Sequence, residues 1–188
     1  LTSTETEGAA PLELSYRAAT DADAQALAEL VNSCYRGQSS RQGWTTEADL
    51  LGGQRIDAAA VRTLVARPDT TVLLAESDRT LVACCELQRG VGGTYFGMFS
   101  VAPTFQGRGL GKRVLAEAEC TAARLWRSAL MRMMVIAQRS ELIAWYERRG
   151  YTSTGRTEPF PYGDPAFGEP KRDDLAFVEM SKDLTAHL

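Results

Sequence analysis

A mixed α/β sheet flanked by helices is the fold class that three observations on this 188-residue chain predict. Two apolar runs, 71–76 and 81–87, are separated only by Ser-Asp-Arg-Thr, which reads as an antiparallel hairpin. From residue 94 onward strand-like and helix-like segments alternate, so at least one parallel pair joined by a helical crossover is expected. A hydrophobic content of 44% over this length supplies one sizeable core.

Residues 1–12, which open LTSTETEGAAP, read as a flexible tail, and residues 13–188 as one domain. Residues 12–17 alternate like a short strand. Thr20 with Asp23 three residues later forms a capping box before a helix whose inner face is Leu27, Leu30, Val31 and Cys34. After Gly37 comes the polar stretch QSSRQG. Thr46 and Asp49 form a second box, predicting a helix that ends near Gly52 and Gly53. A further helix covers 58–65, ahead of the hairpin. The strand 94–101 follows the turn at 90–93 and is stopped by Pro103. A helix then runs over 109–126 with Leu110, Val114, Ala118, Ala122 and Leu125 facing inward. A strand at 130–137, a helix at 140–149 closed by Gly150, and strands at 152–157 and 175–180 complete the order. The Pro-rich stretch PFPYGDPAFGEP at 159–170 sits between the last two strands rather than at a domain boundary.

Net charge is −3, with charges of both signs, so nothing favours a nucleic-acid or membrane partner, while cationic amine substrates remain open. The excess of 18 Arg over three Lys carries no functional reading. The four cysteines include no CxxC pair and the single histidine is His187, so no metal site is expected. Cys84 and Cys85, neighbours in an apolar strand, point to opposite faces as small buried hydrophobes, which favours a reducing compartment. No run approaches the roughly 20 apolar residues of a membrane span, and residues 1–12 lack a signal-peptide core; a cytoplasmic location is the expectation.

The stretch 99–112, FSVAPTFQGRGLGK, carries the chemistry. An apolar strand runs through a Pro turn into a glycine-rich helix start, where Gly107, Gly109 and Gly111 let backbone N–H groups close on phosphate oxygens at the positive end of the helix dipole. Arg108, Lys112 and Arg113 add full charge. A Walker A loop would need Gly at Gln106 and Ser or Thr at Arg113, and the third glycine of GxGxxG would fall at Lys112. QxxGxG fits, as Gln106, Gly107, Arg108, Gly109, Leu110, Gly111.

This element resembles the strand-to-helix pyrophosphate cradle of the GNAT superfamily of acyl-CoA-dependent N-acyltransferases. The later run LIAWYERRGY, residues 142–151, is similar to the FYEKxGF helix of the same family and follows after one helix and one strand. The resemblance implies a GNAT fold with a splayed strand pair, and acetyl-CoA as acyl donor without a metal. The strand Phe99, Ser100, Val101 would offer its backbone to the pantetheine arm at a bulge, and Gln106 to Lys112 would hold the pyrophosphate. It implies an N-acetyltransferase acting on a primary amine, with a small-molecule acceptor expected. A protein lysine or N-terminal acetyltransferase and an inactive CoA-binding sensor stay as alternatives. Homodimers, common in the family, stay open because no stretch marks an interface.

Tyr146 matches the family tyrosine that hydrogen-bonds the departing CoA sulfur; the alternative is an ordinary half-buried helix aromatic. With a phenol near ~10 and a thiol near ~8.5, full proton transfer is uphill by about 2 kcal/mol, so hydrogen bonding to the thiolate is its main expected contribution. Glu86, ending an apolar strand, is the candidate base for the attacking amine, against a solvated strand-end residue; Tyr95 or water are substitutes. Arg139 stands where many relatives carry an asparagine, and is read as reaching a CoA phosphate or the acceptor. Tyr35, Trp44, Phe160 and Tyr162 are candidates for the acceptor wall, or local packing for Pro-rich loops.

Overall fold

The computed structural model describes residues 12–188; residues 1–11, and with them nearly all of the expected tail, lie outside the described residues. In chain order, β1 (Ser15–Ala18) leads through one 3-10 turn into α1 (Ala24–Tyr35), the short α2 (Gly37–Ser40), the two-residue β2 (Leu51–Gly52) and α3 (Ala58–Val65). The hairpin of β3 (Thr70–Ser77) and β4 (Thr80–Gly90) runs on into β5 (Gly93–Val101), α4 (Leu110–Trp126) and β6 (Leu130–Ile136). Then come α5 (Ser140–Glu147), β7 (Thr152–Pro159), the short β8 (Glu169–Pro170) and β9 (Ala176–Asp183).

Seven strands make one sheet in the order β1-β3-β4-β5-β6-β9-β7, and β2 pairs separately with β8. The β5–β6 pair is parallel and its neighbours are antiparallel; α4 supplies the crossover such a pair requires. Local chemistry explains the boundaries. The Thr20 N–H donates to Asp23 Oδ2 at 2.8 Å, as the box predicts, and Arg17 grips the same carboxylate from the neighbouring strand. Asp78 and Arg79 take φ of 48° and 65° in the β3–β4 turn, the primed geometry that matches strand twist. Asp57 caps α3 by accepting the Ala60 N–H at 2.7 Å.

The sheet separates two cores. Cys84 joins Leu27, Leu30 and Val31 of α1 and Val61 of α3 on one face. Cys85 joins Val114, Leu115 and Ala118 of α4 on the other, so adjacent cysteines do serve opposite layers. Each large apolar side chain so buried contributes roughly 1.5–3 kcal/mol.

Two expectations fail locally. Leu125 is largely exposed, the inner face of α4 near its end being filled by Thr121, Ala122 and Ala123. The segment 46–52 is not a helix. The Thr46 hydroxyl does accept an N–H, from Ala48 at 3.0 Å, but Asp49 turns outward to Arg41 and Glu47 turns inward to two arginines. The extended backbone at 51–52 is then committed to pairing with β8.

Candidate active site

Two irregularities in the sheet open the site. β5 pairs with β6 only at Thr94 and Tyr95, after which the strands part. Across from it, Cys84 pairs with Ser100 and Glu86 with Gly97, so Met98 and Phe99 together face Cys85 as a β-bulge. Met98 takes φ 47°, an αL conformation costing a side-chain-bearing residue roughly 1–2 kcal/mol. The resemblance implies a bulge at 99–101, which is found one residue earlier at Met98–Phe99, and the gap beside 130–137.

Two cavities occupy the gap. The outer, about 330 Å³, is lined by Gln106, Gly107, Gly109, Leu110, Gly111 and Lys112 together with Trp44, Trp145 and Arg149. The inner, about 420 Å³, lies among β5, β6 and the loop after β7, with Met98, Met133, Val135, Phe160 and Phe167 in its wall. Tyr35, Phe99, Arg139, Leu142 and Tyr146 line both, and so mark where the two meet.

The glycine turn is shaped for an anion. Gly107 and Gly109 take φ of 78° and 76°, and a Cβ on either would point into open space. Gly109 is the N-cap of α4, so the orphan N–H groups of that helix face the outer cavity with Lys112 beside them. A Cβ on Gly111 would come 3.3 Å from Trp145, where α4 packs against α5. Gln106 is a clasp: its Nε2 donates to the Val101 carbonyl at 2.9 Å and its Oε1 accepts the Trp44 N–H at 2.9 Å. Arg108 is not in the cavity lining and its guanidinium lies 5.8 Å from the Phe105 ring centroid. Arg113 is turned away to the Leu12 carbonyl.

Of the strand residues, Phe99 and Val101 line the outer cavity, while Ser100 is buried with its hydroxyl on the Met98 carbonyl at 3.2 Å. The Tyr35 hydroxyl donates to the Phe99 carbonyl at 2.7 Å. Tyr146 is buried on α5, edge-on to Trp145 and Tyr151 at 5.1 and 5.7 Å. Among the described residues its hydroxyl has no hydrogen-bond partner, and burial pushes the phenol well above its ordinary value. It is therefore a protonated donor at the junction. Trp145 carries the Arg149 guanidinium 3.4 Å from its ring centroid.

A buried ion cluster went unnoticed in the sequence. Glu47 accepts from Arg36 Nη1 at 2.8 Å and from Arg139 Nη1 at 2.7 Å, and Arg139 Nη2 also donates to Thr45 Oγ1 at 3.0 Å. Arg139, read as reaching a CoA phosphate or the acceptor, thus lies at the junction with both of its terminal nitrogens held by Glu47 and Thr45. Arg36 Nε and Nη2 and Arg139 Nε are buried with no partner.

The acceptor-wall candidates divide. Phe160 and Tyr35 line the inner cavity. Trp44 instead stands on the outer one, its ring centroid 6.3 Å from that of Trp145, because the Gln106 clasp draws its backbone there. Tyr162 lines neither; its ring packs on Phe160 and its hydroxyl accepts the Leu175 N–H at 2.7 Å, which fixes the loop. Glu86 is half-buried and does not line the inner cavity, although its strand partner Gly97, and Tyr95, do. Burial pushes its carboxyl above the usual range, opposed by Arg67 and Arg55.

All four cysteines are free. Burial pushes the Cys84 and Cys85 thiols far up, and Cys34, beside the outer cavity, up to about 11. Among the described residues no group of three His, Cys, Asp or Glu can hold a metal ion, and no helix is long and apolar enough to cross a membrane.

Residues 68–153, from just before β3 into β7, match the family model described as acetyltransferase (GNAT) domain. No curated protein matches in sequence. Among solved structures, the chain resembles yncA, a putative acetyltransferase from Salmonella typhimurium solved with its cofactor acetyl-CoA, at 20% identity over 91% of this chain and 94% of that one, TM-score 0.65. It also resembles a chimera of spermidine N-acetyltransferase SpeG from Vibrio cholerae and hSSAT (13% identity, 93% and 97% covered, TM-score 0.66). The ribosomal-protein-S18-alanine N-acetyltransferase from Escherichia coli is similar to the same degree (13% identity, 92% and 95% covered, TM-score 0.66). At these identities the likeness is one of fold.

Proposed function

We propose that this protein is an acetyl-CoA-dependent N-acetyltransferase that acetylates a primary amine of a small molecule by direct transfer in a ternary complex. The observation that carries the reading is the meeting of the glycine-lined outer cavity with the inner cavity at Phe99 and Tyr146. The residues present suit the donor: the space beyond Gly107 and Gly109 is open, the α4 N-terminus faces it, and β5 has no strand partner on the β6 side past Tyr95.

In this reading the pyrophosphate sits on 107–112 and the pantetheine arm lies along β5 with its thioester at the bulge. The amine, neutral on attack, enters from the inner cavity and its nitrogen bonds the acetyl carbon; the carbon–sulfur bond then breaks and sulfur departs as thiolate. Tyr146 donates its hydrogen bond to that sulfur. The surplus amine proton leaves through water, with Tyr95 on the path and Glu86 behind it rather than in contact with the acceptor. Holding both reactants at one junction is the main catalytic device. A covalent acetyl-cysteine is disfavoured: Cys84 and Cys85 line neither cavity, and burial pushes the thiol of Cys34, which lines the outer one, up to about 11.

The deciding experiment measures free-thiol release from acetyl-CoA over a panel of amines, alongside calorimetry with CoA. Amine-dependent release with CoA binding supports the reading. CoA binding without amine-dependent release overturns transferase activity, and absence of CoA binding overturns the donor.

A further inference from the structure

The inner cavity is unusual in its charge. Three arginines, Arg36, Arg55 and Arg139, and two glutamates, Glu47 and Glu158, line it. Both carboxylates are already neutralised by protein: Glu47 by Arg36 and Arg139, and Glu158 by Arg156 at 2.5 Å. The cations are not equally spent. Arg36, 7% exposed, has Nε and Nη2 buried without a partner, and Arg139 has Nε in the same condition. Arg55 forms no salt bridge among the described residues; its guanidinium carbon lies 5.8 Å from the Tyr35 ring centroid. Glu86 is within its field, without contact, and shares that field with Arg67.

Arg55 is also held in place. Asn32 of α1 accepts the Arg55 N–H through Oδ1 at 2.7 Å and donates from Nδ2 to the Ile56 carbonyl at 2.7 Å. The loop that presents the guanidinium is therefore pinned to a helix. A positioned arginine without an ion-pair partner at a cavity wall is a receptor for a planar anion, since its fork matches a carboxylate. The remainder of the wall is apolar, from Met133, Val135 and Phe160, and the volume suits a small molecule. Leu51, itself in the wall, and Gly52 pair with Pro170 and Glu169, tying their segment to the one that follows Phe167, also in the wall.

Within the transferase reading above, we infer that the acceptor is a compact primary amine that also bears a carboxylate, its anion facing Arg55 and the spare Arg36 and Arg139 nitrogens and its apolar body on the Met133 to Phe160 side. A polyamine fits poorly, because no carboxylate in the cavity wall is left unpaired for its second cation.

The test compares kcat/KM for apolar α-amino acids, their methyl esters, the corresponding decarboxylated amines and spermidine, with wild-type protein and with Arg55→Gln and Arg55→Lys. The amino acids are preferred over esters and amines by at least about tenfold, as a charge-assisted fork contact implies. Arg55→Gln raises KM for the amino acids and collapses that preference, and Arg55→Lys restores part of it. Equal or better turnover of the esters, decarboxylated amines or spermidine overturns the carboxylate requirement and leaves the transferase intact. A preference that survives Arg55→Gln overturns the assignment to Arg55. Transfer to no amine at all, with CoA still bound, overturns the transferase reading itself.

Discussion

Arg139 Nη1 donates to Glu47 Oε1 at 2.7 Å, joining residues 92 positions apart at the place where the two cavities touch. Arg36 completes the cluster from α1's end, and the two guanidiniums and the carboxylate are each nearly sealed from solvent. Replacing Glu47 by Gln leaves two buried cations with no counter-charge, and loss of one partner from such a cluster costs about 3–5 kcal/mol. Urea denaturation should show that loss. KM should rise for donor and acceptor together, because Arg139 lines both cavities.

Gly109→Ala places a Cβ in an αL residue, a strain of roughly 1–2 kcal/mol, and in the space where the phosphates would sit. The melting temperature should fall by a few degrees, with CoA affinity falling at least about tenfold. Calorimetry and a thermal melt separate the two effects; an unchanged CoA affinity would remove the turn from donor binding.

Tyr146→Phe should lower kcat by about 100- to 1,000-fold with little change in CoA affinity, the scale expected for one transition-state donor. Burial raises the phenol's pKa, so its proton persists above the ordinary value near ~10. Loss of the Tyr146 proton should therefore give no fall in kcat between pH 8 and 10. A fall there that vanishes in the Phe variant would contradict this.

Asp23 is held well below the usual aspartate range, first by its hydrogen bonds to Arg17. A depressed folded pKa stabilises fully above the unfolded value near ~3.9 and progressively less as pH drops below it. Asp23→Asn should thus be less stable than wild type at neutral pH, with the gap narrowing below about pH 4. Denaturation at pH 7 and pH 2.5 tests the sign.

Native thiol labelling should modify Cys120 rapidly and Cys34, Cys84 and Cys85 only on unfolding, since Cys120 alone is exposed. Transfer activity should survive that labelling, as direct attack requires. Abolished turnover after modification of Cys120 alone would tie that distant thiol to function.

Local signals carried most of the fold. The Thr20 box, the four-residue hairpin turn and the glycine punctuation all depend on neighbours in sequence, and α3 falls on 58–65 as its pattern indicates. The same locality explains the errors. Thr46 and Asp49 satisfy a helix-start pattern, yet Glu47 between them is claimed by arginines at 36 and 139. Nothing within a few residues reports that pairing. Trp44 and Tyr162 were grouped by aromaticity, and one hydrogen bond each, to Gln106 and from Leu175, sends them elsewhere. Tyr146 and the glycine turn were readable because their roles sit on contiguous motifs.

The extra residue at Met98–Phe99 also re-phases the strand. Phe96 packs on the α4 side, Met98 on the α1 side, and Phe99 returns to the α4 side, its centroid 5.3 Å from that of Phe96. Deleting a single residue between 96 and 100 would send Phe99 toward α1 and turn its carbonyl away from Tyr35. Over these few positions the chain's length is under tighter constraint than its spelling: a side chain can be exchanged here, whereas a codon gained or lost would dismantle the junction between the two cavities.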